Sequence, residues 1–169
     1  MWYDRDSRIE ACLEACGNEA DGNIGKGIAI FLAGLIWELG IIAKSGSPGE
    51  DFIHELVAAS VAVRAAGPFF GLDPARASDS LLNKIGSIES YYEKIAAKNV
   101  DIPREAAKEI TGLMQANALY VHDPSIDKDD LYDALNDAYI AIRVLERYYG
   151  VNIDDWNYEE KFILPEEQN

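Results

Sequence analysis

Apolar positions recur along this chain with a helical period, and no stretch shows the strict alternation of a half-buried strand. The pattern predicts six helices. The first is capped by Asp6 and Ser7 and runs to about Ala20, with Ile9, Leu13 and Cys16 on one face; Asp21-Gly22-Asn23 breaks it. The second covers residues 24–44 and is apolar nearly all round, Glu38 being the only ionisable side chain between Lys26 and Lys44. Pro48, Glu50 and Asp51 start a third, which buries Phe52, Leu56, Val63 and Ala66 and stops at Gly67-Pro68. Asp73-Pro74 opens a fourth, with Leu81, Leu82, Ile85, Ile88, Tyr92 and Ile95 at helical spacing to about Lys98. Asp101 and Pro103 begin a fifth, whose face is Ala107, Ile110, Met114 and Leu119 and which ends near His122. The sixth runs from about Asp127 to Tyr149, with Leu131, Leu135, Ala138, Ile142 and Leu145 on one stripe and Gly150 as its cap. An acidic tail, residues 155–169, offers Trp156, Tyr158, Phe162 and Leu164 to lie back on the body. The fold class expected is therefore all-α, a bundle of about six helices in a single domain spanning 1–169.

The second helix decides between water and membrane. Its uncharged run from Gly27 to Trp37 is too short for a bilayer, which takes about 20 mostly apolar residues, and lengthening the run puts Glu38 in hydrocarbon. It is expected to be the central core helix of a soluble bundle, without membrane contact. A carboxylate in such a helix must be paired, metal-bound or protonated, unless it points out at a rim or meets a Lys or Arg.

The two halves resemble each other at a shift of 79 residues, the distance from Asp51 to Asp130. Asp51-Phe-Ile-His-Glu-Leu falls on Asp130-Leu-Tyr-Asp-Ala-Leu, Ala62-Val-Arg64 on Ala141-Ile-Arg143, and Phe69-Phe-Gly71-Leu on Tyr148-Tyr-Gly150-Val. The matches predict a duplicated three-helix unit, residues 6–73 and 85–152. One chain would then satisfy the apolar face for which a single-repeat protein needs a second subunit, so a monomer is expected; a homodimer through Trp37 and the aromatic tail is the alternative.

Composition narrows the partners. With 169 residues, 49% of them hydrophobic, and a net charge of -15, the chain is long enough for a core and strongly acidic. Direct binding to a nucleic-acid backbone is excluded on charge, because phosphate contacts need clustered Lys and Arg. Two uses of acidity remain: holding divalent cations, or presenting a negative surface to a basic partner. Cys12 and Cys16 stand four apart on one helix, where a disulfide is strained and two thiols make half a zinc site; reduced thiols and a cytoplasmic location are expected. His54 and His122 are single, Gly25-Lys-Gly27 lacks the rest of a P-loop, and no Ser or Cys has the surroundings of a nucleophile.

Carboxylates form the one constellation with chemical promise. Asp130, Asp133 and Asp137 share a stripe of the sixth helix, and Glu55 holds a comparable place on the third. Such oxygen-rich sets on facing helices suit Mg²⁺. At these residues the chain resembles the MazG-like all-α nucleoside triphosphate pyrophosphohydrolases, which carry an E-x-x-E pair on one helix, an E-x-x-D pair on the next and a turn of the type Leu-Gly-Ile-Asp. Trp37-Glu-Leu-Gly40 looks like the first pair's surroundings, His54-Glu-Leu-Val-Ala58 like the second, and Phe70-Gly-Leu-Asp73 like the turn. Asp133-Ala-Leu-Asn-Asp137 and Tyr149-Gly-Val-Asn152 repeat the likeness in the second half. Ile41 and Ala58 stand where the family has its second carboxylates, and Asn117, Tyr120 and Ala134 depart in the other half.

The resemblance implies a nucleotide partner and Mg²⁺ as cofactor. Glu38, Glu55 and Asp137 would hold the metal, Glu38, Glu55 and Asp133 would form the catalytic set, and Lys161 would meet the nucleotide phosphate. Neither half keeps four ligands, so the site either combines both halves or is lost. The competing expectation is a non-enzymatic interaction protein, such as a phage-type inhibitor, whose acidic surface enters a basic groove: from His122 to Asn169 there are 13 Asp and Glu against 4 Lys and Arg.

Overall fold

Cap chemistry sets most helix ends in the computed structural model, which describes residues 6–153, with side chains from residue 9. The helices are α1 (Asp6–Glu19), α2 (Ile24–Ser45), α3 (Phe52–Phe69), α4 (Pro74–Ile85), α5 (Ile88–Ala97), α6 (Ile102–His122) and α7 (Lys128–Tyr149). No strand occurs among the described residues, so the all-α class holds. Asn23 accepts from the Lys26 amide at the start of α2, Asp101 from Arg104 at α6, and Asp127 from Asp129 at α7. Gly46 (φ 82°) and Gly150 (φ 65°) close α2 and α7 in the left-handed region.

Two boundaries differ from the sequence expectation. The fourth predicted helix is broken into α4 and α5, because Gly86 turns to φ 70° and the Ser87 side chain then caps a new helix by accepting from the Ser90 amide. The third is not stopped by Pro68. That residue sits in the last turn of α3, where its missing N–H costs one bond, and the helix ends at Gly71 (φ 68°) with Leu72 donating to the Gly67 carbonyl at 3.0 Å. The acidic tail and its aromatics lie outside the described residues.

α2 with α3, and α6 with α7, form two helical hairpins that pack on each other, α2 against α6 and α3 against α7. Under the 79-residue shift these are corresponding helices. α1 lies along both α2 and α3, whereas its counterpart α5 leans chiefly on α7 and α4. Aromatic contacts lie at both ends of α3: Phe69 and Phe70 meet Tyr120 with ring centroids 5.3 and 5.0 Å apart, and Phe52 meets Tyr149 at 5.0 Å.

The central helix is α3, not α2. From Leu56 to Gly67 every α3 residue is buried, because Ala58, Ala59, Ser60, Ala62, Ala65, Ala66 and Gly67 are small enough to admit neighbours on all sides. α2 buries one face, including Ile28, Phe31, Leu32, Leu35 and Leu39, and leaves Ile30, Ala33 and Trp37 outward, Trp37 at 73% exposure. Its length and hydropathy would also suit a membrane span. α6 is rotated from its predicted face: Ala106, Ile110, Leu113 and Asn117 point inward and Leu119 outward. Asn117 reaches the core because its Nδ2 donates to the Gly25 carbonyl of α2 at 2.8 Å.

Candidate functional site

Glu38 follows Gly34 by one turn on α2, and Glu55 follows Asp51 by one turn at the start of α3, so the two pairs face each other across the first hairpin. Two glycines make the room. Gly34 has no side chain, and the Glu55 carboxylate lies directly against it; a Cβ at Gly34 would collide with Oε2. Gly49, in the connection between the helices, covers Glu38 so closely that a Cβ there would stand 3.2 Å from its Oε2.

Glu38 is 4% exposed, and its Oε2 has no hydrogen-bond partner among the described residues. It does not point out of a rim, and it meets no Lys or Arg among the described residues. Burial pushes its carboxyl above the usual value of 4.5, and the charges of Asp51 and Glu55 push it further the same way. A buried polar atom left unpaired costs about 1–3 kcal/mol. Asp51 is exposed at the N-cap of α3 without making a side-chain cap bond, which leaves its carboxylate uncommitted.

The other two predicted ligands lie elsewhere. Asp137 on α7 is hydrogen-bonded to Lys84 of α4, with Asp133 and Glu109 adding to the negative field around that lysine. Burial lowers the Lys84 pKa, but the Asp137 hydrogen bond and charge outweigh it and leave the ammonium favoured. Asp133 is exposed. The charged neighbours of Glu38 are Asp51 and Glu55 instead, and no three His, Cys, Asp or Glu side chains converge on one cation position among the described residues. The predicted union of Glu38 and Glu55 with Asp133 and Asp137 is therefore not formed: α4, which the sequence reading left out of the site, carries the lysine that takes Asp137. Lys161 lies outside the described residues. Ile41 is half-buried and Ala58 fully buried, so the second position of each pair contributes only packing.

Part of the acidic face is neutralised in place. Arg76 pairs with Asp129, and its guanidinium lies 4.4 Å from the centre of the Tyr132 ring. The cysteines offer no reactive thiolate: no disulfide joins Cys12 and Cys16, both are wholly buried, and burial drives the Cys16 thiol far up.

Sequence reasoning missed Asp51, read only as a helix-start residue, and Glu109. The readable signal for the first was paired four-residue spacing, Gly34 to Glu38 and Asp51 to Glu55. Comparison with family models, curated proteins and solved structures found no match to this chain.

Proposed function

We propose that this chain is a MazG-like nucleotide-binding protein that takes its nucleotide together with Mg²⁺ at Glu38 and Glu55, and that it hydrolyses the nucleotide slowly or not at all. The observation that carries the reading is the Glu38 carboxylate, buried beneath Gly49 with Oε2 unpartnered and with Glu55 as its acidic neighbour. Such an atom fits a cation ligand.

Two carboxylates are a sparse set for a standing metal. They suit Mg²⁺, which keeps several waters and is commonly bound by one or two carboxylates plus substrate phosphates. The ion, when bound, would neutralise phosphate charge and activate water. Glu38 and Glu55 would hold the ion, with the exposed Asp51 carboxylate adding negative charge beside them. The second carboxylate of each of the family's two pairs is replaced, by Ile41 in the first and Ala58 in the second, which removes half of the charge that would organise turnover. Binding is thus favoured over catalysis.

The test is incubation with the common and deoxy nucleoside triphosphates plus Mg²⁺, read by thermal shift and by pyrophosphate release. At least one nucleotide should raise the melting temperature only when Mg²⁺ is present. Absence of any shift sinks the binding claim, and a shift or turnover that survives Glu38→Gln and Glu55→Gln together sinks the site.

A further inference from the structure

α5 occupies the place of α1 in the second half but does not close the same space. Shifted by 79 residues, Cys12 and Cys16 of α1 fall on Tyr91 and Ile95 of α5, Gly27 on Ala106, and Ala62 on Ala141. Around α1 that space is filled. Both cysteines are wholly buried, and Gly27 lets α1 so near that a Cβ there would collide with the Cys16 carbonyl. α5 has no fully buried residue and makes no comparable seam along α6. What remains between α5, α6 and α7 is a hollow of about 310 Å³, walled by Tyr91, Ile95, Ala106, Ile140 and Ala141. Small-molecule sites run from roughly 300 to 1,000 Å³ and combine apolar walls with a few polar groups.

The rim chooses the charge of the occupant. Lys84, Lys98, Glu105, Glu109 and Asp137 surround the hollow, and Lys84 is already committed to Asp137. Glu109 is half-buried and makes no hydrogen bond or ion pair among the described residues. Burial, then the neighbouring Asp137 charge, push its carboxyl upward, and the nearby Lys108 and Lys84 charges offset this only in part without bonding to it. Lys98 is exposed on the rim.

We propose that the hollow beneath α5 binds a small apolar molecule bearing one amine cation, its body against Ile95, Ala106 and Ala141 and its ammonium at Glu109. The inference is independent of the Glu38 site. A charge-inverted pair of probes, tryptamine and indole-3-propionate, tests it by calorimetric titration into the full chain. Tryptamine should bind one per chain, and indole-3-propionate at least tenfold more weakly. Glu109→Gln, at a half-exposed position that leaves the helices intact by circular dichroism, should weaken tryptamine at least tenfold. Ile95→Trp, which fills the hollow from the solvent side, should abolish binding, while Glu38→Gln should change nothing. Equal affinity for the two probes, no detectable tryptamine binding, or tryptamine binding indifferent to Glu109→Gln would each overturn the proposal.

Discussion

Replacing Glu38 by Gln keeps the shape of a buried side chain and removes its charge, and the empty protein should become more stable at about pH 8. Only the charge is removed, since the Gln amide is as unpartnered as the protonated acid, and the gain is about 1.4 kcal/mol for each pH unit by which the folded-state pKa stands above 4.5. For a chain of this length each kcal/mol moves the melting temperature by about 2–4 °C, so a rise of roughly 3–6 °C per such unit is expected. The pH dependence fixes the cause. Because the folded-state pKa of Glu38 lies above 4.5, the folded chain holds a proton that the unfolded chain has released in the window just above 4.5. The Glu38 contribution is fully present below 4.5 and is lost as pH rises through the folded value, so wild type and variant should melt together in acid and separate as pH increases. Mg²⁺ with a nucleotide should reverse the order: at 100 times its dissociation constant a ligand adds about 2.7 kcal/mol to the wild type, and the variant should gain little. Paired melts across pH read the difference directly, and the general acid sensitivity of a chain with net charge -15 cancels between the two proteins. A variant less stable than wild type at pH 8, or a gap that does not change with pH, would mean that Glu38 already has a partner.

Two glycines on α2 should respond oppositely to the same change. Gly27→Ala drives a methyl into the Cys16 carbonyl, forces α1 away from α2 and should lower the stability read by urea denaturation by about 1–3 kcal/mol; Gly40→Ala meets nothing within 4 Å and should raise it by about 0.5–1 kcal/mol. If both stabilise, α1 is not seated as described. Lys84→Met should cost no more than about 1 kcal/mol, since its side chain and that of Asp137 are 44% and 29% exposed and such pairs are screened. A larger loss in the same denaturation assay would show that the pair anchors α4.

Periodicity carried the helices because burial in a bundle selects one face, and the cap residues Asn23, Asp73, Asp101, Asp127 and Gly150 stand where the chain begins or ends its turns. The break at Gly86-Ser87 was hidden by apolar spacing that runs unbroken across it; the dipeptide that makes the turn was the signal. Hydropathy pointed to α2 as the centre because Ile, Leu and Phe weigh heavily in it. Position at the centre of a helical bundle depends instead on how near neighbours can come, which favours the alanines of α3. The proximity of Glu38 and Glu55 was legible since both acids lie in one hairpin with short-range geometry. Asp137 is drawn away from Glu38 and Glu55 because its partner, Lys84, arrives from α4, and nothing local to α7 announces a lysine 53 residues away in sequence.

The order of the helices has a consequence for how the molecule is made. α1, α2 and α3 are consecutive and contact one another, so a ribosome delivers that unit before α6 or α7 exists. At about 5–20 residues per second, the stretch from α3 to the end of α7 takes on the order of ten seconds. Phe69 and Phe70 wait for Tyr120 at one end of α3 through the first part of that interval, and Phe52 for Tyr149 at the other end through all of it. The speed of translation through α4 to α7, a property of the messenger and not of the fold, therefore sets how long an aromatic surface is open to other nascent chains.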